Sequence, residues 1–118
     1  NMGEIKDLLT KLEQFRDERD WGQFHDPKNL ALALSIEAAE LNELFLWKKE
    51  SDLSSVDQDK LKDEIADVFA YAIMLAGRYD FDVTEIVRAK ILKNAQKYPV
   101  EIAKGNAAKY DEFGNAEE

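Results

Sequence analysis

The chain has 118 residues, 45% of them hydrophobic, with 5 glycines, 2 prolines and no cysteine. That length bounds one domain able to bury about two-thirds of its unfolded surface, and the cysteine count excludes disulfides, thiolate zinc sites and cysteine nucleophiles. With 25 acidic against 16 basic residues, the net charge of -9 speaks against nucleic-acid polymers and anionic membranes as partners.

So few glycines and prolines predict long, uninterrupted helices and an all-α fold. There is no internal repeat and no low-complexity run. Glu4, Lys6 and Asp7 break the first apolar residues, so no signal peptide is expected. The longest uncharged run, 68–77, is too short to span a bilayer. The expectation is a cytoplasmic protein.

The first predicted helix covers 4–20, where Ile5, Leu8, Leu9, Leu12 and Phe15 form an apolar stripe opposite a charged side. Asp20-Trp21-Gly22 marks its end. Residues 20–26, DWGQFHD, form a loop dense in aromatic and polar side chains, a composition suited to recognising a flat ligand.

Asp26-Pro27 reads as an N-cap followed by proline in the first helical position, opening a second helix over 27–49. Residues 50–55 connect it to a third helix, whose start is predicted from Ser55 and Gln58 as a capping box and whose end falls near residue 79. Asp82 and Glu85 form a similar box for a fourth helix that stops before Pro99. Residues 99–118 are predicted to be a C-terminal arm or tail of the single 1–118 domain.

The architecture expected is a four-helix bundle. Stretches 30–47 and 65–77 are apolar on more sides than one neighbour covers, so a homodimer or homotetramer is expected to complete the burial.

Both apolar stretches carry paired acids. Glu37 and Glu40, then Glu64 and Asp67, stand three residues apart and therefore share a helix face. If the two helices pack antiparallel, four carboxylates converge and repel by several kcal/mol at an effective dielectric of about 20. Divalent cations relieve that repulsion, and hard oxygen ligands without His or Cys suit Mg²⁺ or Mn²⁺ rather than zinc. The same spacing also fits a solvated acidic face, although such a face is normally flanked by polar residues.

The runs RDWGQFHDPKNLALALSIEAAELNELFLWK, DEIADVFAY and KNAQKYP resemble the all-α nucleoside triphosphate pyrophosphohydrolases, and within them the MazG-like group, on the branch that includes dCTP pyrophosphatase. The resemblance spans roughly residues 12–99. Ile36 stands where MazG proteins usually open the first motif with a second glutamate, a departure that bears on metal count.

The resemblance implies Mg²⁺-dependent hydrolysis of a dNTP, dCTP-like or dATP, to the monophosphate and pyrophosphate, a nucleotide-pool house-cleaning role. Glu37, Glu40, Glu64 and Asp67 match the metal ligands, with Glu40 the candidate to orient or deprotonate the attacking water instead. Trp21 and Trp47 match base-stacking positions, with Trp47 also readable as a core or interface anchor. His25 and Asn29 are candidates for hydrogen bonds to the base; His25 equally suits a loop in water. Tyr71 resembles a tyrosine near the sugar, or is core filler.

Lys93, Asn94, Lys97 and Tyr98 match the segment expected to hold the triphosphate, against a merely solvated basic face. Arg19 is a further candidate for that role. Two other functions stand beside this one: phosphoribosyl-ATP pyrophosphohydrolase, and a non-catalytic helical oligomerisation or antitoxin-like module.

Overall fold

The computed structural model describes residues 3–105. Four long helices account for most of them: α1 (Gly3–Glu18), α2 (Pro27–Glu43), α3 (Gln58–Arg78) and α4 (Val83–Lys97), followed by a single turn, α5 (Val100–Ala103). Short 3-10 turns, Gly22–Phe24 and Glu50–Ser55, lie between them. No strand occurs among the described residues, and no helix there is long and apolar enough to cross a membrane.

The chain forms two compact units that divide after Val83. In the first, α3 packs against both α2 and α1. Its core is small and wholly apolar, made of Leu30, Val56, Ile73, Met74 and Ala76. Close approach of α1 to α3 depends on Gly77, where an added Cβ would come within 2.9 Å of both Leu9 methyls.

Helix ends follow from local chemistry. Asp26, in an extended conformation, accepts a hydrogen bond from the Asn29 N–H at 2.7 Å and caps α2, with Pro27 in the first turn as expected. α1 and α3 end alike. Asp20 and Asp80 adopt left-handed φ values of 55° and 56°, which aspartate tolerates better than most side chains. The next N–H in each case, Trp21 or Phe81, donates five residues back to the Arg16 or Ala76 carbonyl at 3.0 Å. This is a Schellman closure with aspartate in the glycine position.

Two expected boundaries are corrected. α2 stops at Glu43 rather than at 49, because the chain turns through 44–47 and Trp47 takes a left-handed φ of 61°. The cap of α3 is Asp57, not Ser55: its carboxylate accepts from the Asp59 and Lys60 N–H groups. Ser55 instead donates to the Asp52 carbonyl and accepts from Lys48.

The second unit begins at Thr84 and holds nearly all of α4, which opens directly after Asp82, together with α5. Of the expected 99–118 tail, residues 100–103 form α5, and 106–118 lie outside the described residues.

Candidate functional site

The packing of α2 on α3 brings Glu37, Glu40 and Glu64 together, with one carboxylate oxygen from each within 4.8 Å of the others. Glu37 and Glu64 are half-buried, whereas Glu40 is exposed. Oε2 of Glu37 and Oε2 of Glu64 are shut off from solvent and have no hydrogen-bond partner. Closed-off carboxylate oxygens without partners carry a large desolvation cost.

The ionisation of the cluster reflects that cost. Burial, reinforced by hydrogen bonding to Glu40 and Glu64 and by the charges of Glu40 and Asp67, pushes the Glu37 carboxyl up to about 7. Burial also raises Glu64, with Glu40 and Asp67 adding to the shift, while its hydrogen bond with Glu37 pulls the other way. Both carboxyls are thus raised by burial and by the negative charges around them, and they titrate as a pair. Asp67, exposed one turn beyond Glu64, stands outside the close trio but bears on it through charge. Burial, then the charges of Glu37, Asp67 and Glu40, raises the half-buried Tyr71 hydroxyl.

The donor set fits a divalent cation. Two closed-off carboxylate oxygens have no hydrogen-bond partner, a third is in reach, and all are hard oxygen ligands.

The aromatic loop is fixed by backbone. The closure of α1 delivers Trp21, whose ring meets Phe15 edge-on at 5.9 Å. The 3-10 turn then carries the chain to His25, whose N–H donates to the Gly22 carbonyl at 3.2 Å. The His25 ring lies edge-on to Tyr71 at 6.3 Å, which links the loop to α3 one turn past Asp67. Its Nδ1 is closed off and unpaired. Burial and then the Arg16 charge hold His25 below the usual imidazole range.

Asn29 turns its amide nitrogen to the Phe24 carbonyl, at 3.2 Å. Trp47 is 90% exposed, so it anchors no core among the described residues. Arg19 lies with its guanidinium 3.6 Å over the Phe15 ring and donates to the Phe15 carbonyl, an arrangement that commits it to α1. Lys93, Asn94 and Lys97 are exposed on α4 and Tyr98 follows it half-buried, all in the second unit.

Arg16 went unrecognised in the sequence, where it reads as one more charge on the polar side of α1. Its side chain is only 15% exposed, paired with Asp17 at 2.9 Å. Proximity to His25 is a tertiary fact with no signal in the spacing.

Residues 32–113 match the MazG-like family. The chain is 38% identical to dCTP pyrophosphatase 1 of Mus musculus over 92% of its own length and 67% of that protein, and 37% identical to the Homo sapiens protein over the same shares. Among solved structures it is similar to a pyrophosphatase from Archaeoglobus fulgidus, with a TM-score of 0.74 and 41% identity, covering 80% of this chain and 91% of that one.

Proposed function

The chain belongs to the MazG-like family, and on that premise we propose that it is a dNTP pyrophosphohydrolase that takes dCTP or a similar nucleotide to dNMP and pyrophosphate. The observation that carries this reading is the meeting of Glu37, Glu40 and Glu64 with two unpartnered oxygens closed off from solvent. An acidic face that served only solubility would leave those oxygens in water.

Glu37, Glu40, Glu64 and Asp67 would hold Mg²⁺, with Mn²⁺ a substitute. When bound, the cation offsets charge on the phosphate chain and makes water more acidic. Water adds to the α-phosphorus, the bond from that phosphorus to the α,β-bridging oxygen breaks, and pyrophosphate leaves. Glu40, the exposed member of the trio, is assigned the proton of the attacking water.

Trp21 and Trp47 are assigned to the base. Each has ring surface in solvent, and an exposed tryptophan in a left-handed backbone is a costly arrangement to keep without a ligand. His25 borders the base side and Tyr71 the sugar. Lys93, Asn94, Lys97 and Tyr98 are assigned to the triphosphate by their chemistry. Leu32, Ile36, Ile65 and Phe69 are exposed on α2 and α3, which supports a homodimer or homotetramer.

The deciding experiment is a pyrophosphate-release assay over all NTPs, dNTPs and phosphoribosyl-ATP, with and without Mg²⁺. The reading requires Mg²⁺-dependent pyrophosphate from a dNTP, lost by about 10²-fold or more in Glu40→Ala with helical content intact. Preference for phosphoribosyl-ATP, orthophosphate as sole product, or an unimpaired Glu40→Ala would overturn it.

A further inference from the structure

Asn29 stands at the start of α2 with both hydrogens of its amide nitrogen engaged by the protein. Nδ2 donates to the Phe24 carbonyl at 3.2 Å and to Asp26 Oδ2 at 3.3 Å. Both partners only accept, so the amide orientation is fixed and its sole free polar atom is the oxygen. The capping bond from the Asn29 backbone N–H to Asp26 Oδ1, at 2.7 Å, does not involve this side chain.

The carbonyl that Asn29 grips belongs to the peptide joining Phe24 to His25. A histidine ring is ordinarily oriented by a hydrogen bond at one of its nitrogens. Here Nδ1 is closed off and has no partner. What holds the ring is the backbone on either side: the His25 N–H bonded to the Gly22 carbonyl, the Phe24 carbonyl bonded to Asn29, and the edge contact with Tyr71.

We infer that Asn29 is a positioning residue that sets the His25 ring by clamping the Phe24 carbonyl, and does not itself read the base. This inference rests on the proposal that His25 borders a bound nucleotide.

Asn29→Ala and Asn29→Asp separate the two roles. Aspartate keeps the side-chain shape and an acceptor oxygen, but sets a carboxylate against the Phe24 carbonyl and Asp26. A base reader acting through the free oxygen would survive Asn29→Asp; a clamp would not. Steady-state kinetics with dCTP and dUTP, which differ only at the C4 substituent and the N3 hydrogen of the base, report on reading. The proton NMR spectrum reports on the clamp directly, because His25 is the single histidine in the chain.

In both variants KM rises about tenfold for the two nucleotides alike, kcat changes little, and the His25 ring resonances move. Circular dichroism checks folding, and Asn29→Ser replaces Asn29→Ala should that variant lose its helices. Wild-type KM in Asn29→Asp, a changed dCTP-to-dUTP preference in either variant, or unmoved His25 resonances would each overturn the inference. If the wild type releases pyrophosphate from neither nucleotide, the functional proposal falls while the NMR comparison still decides the clamp.

Discussion

Glu37 of α2 and Glu64 of α3 meet across the helix pair, each with its Oε2 closed to solvent and unpartnered. Burial and then the neighbouring negative charges raise both carboxyls, and a proton or a cation between them relieves the repulsion of like charges.

The first consequence is a pH-dependent stability in the metal-free protein. Glu37 titrates near 4.5 when unfolded and at about 7 when folded. Between those values the native state binds more protons than the unfolded one, so stability is highest below the window and falls as pH rises through it. The thermal midpoint in EDTA should decline across that range, and Glu37→Gln should flatten the decline. Mg²⁺ at pH 8 should raise the wild-type midpoint by binding only the native state. Parallel pH profiles for wild type and Glu37→Gln would count against a raised Glu37 carboxyl.

Trp47 combines a φ of 61° with a side chain that is 90% exposed. A left-handed non-glycine residue costs about 1–2 kcal/mol, against roughly 0.4–1 kcal/mol for the extra unfolded-state entropy of glycine. Trp47→Gly should therefore stabilise the fold by about 0.5–1 kcal/mol in urea titrations while raising KM for the nucleotide. Loss of stability would mean that the ring packs on something after all.

Gly77 sets two effects against each other. Alanine favours a helix by about 1 kcal/mol over glycine, but its Cβ would lie 2.9 Å from both Leu9 methyls, and overpacking costs roughly 1–3 kcal/mol. Gly77→Ala should thus destabilise the wild type by about 1 kcal/mol and stabilise a Leu9→Ala background by a similar amount. A double-mutant cycle in urea measures the reversal; the same sign in both backgrounds would refute close packing there.

Asp57 and Ser55 offer a local test of how α3 begins. Asp57 accepts from two N–H groups of the first turn, whereas Ser55 serves the preceding 3-10 turn. Asp57→Ala should cost about 1 kcal/mol in chemical denaturation, and Ser55→Ala clearly less. Equal losses would return the cap to Ser55.

Spacing alone made much of this protein legible. An apolar stripe located α1, cap signals pointed to the other three long helices with Asp26-Pro27 marking the start of α2, and the paired acids of 37–40 and 64–67 included Glu37, Glu40 and Glu64, which α2 and α3 bring together. These are short-range properties: a helical repeat or an N-cap depends on neighbours within a turn or two. The sequence by itself therefore determined the helices and the chemistry they carry.

Tertiary structure alone decided which polar atoms lose their water. The closed Oε2 atoms of Glu37 and Glu64, which meet across α2 and α3, and the closed Nδ1 of His25, whose ring meets Tyr71 of α3, depend on packing between elements. It also decided against the local reading at Trp47, where the chain leaves the helix despite unbroken apolar residues. Desolvation is set by what packs on a group from elsewhere in the chain, and no spacing within a single helix encodes it.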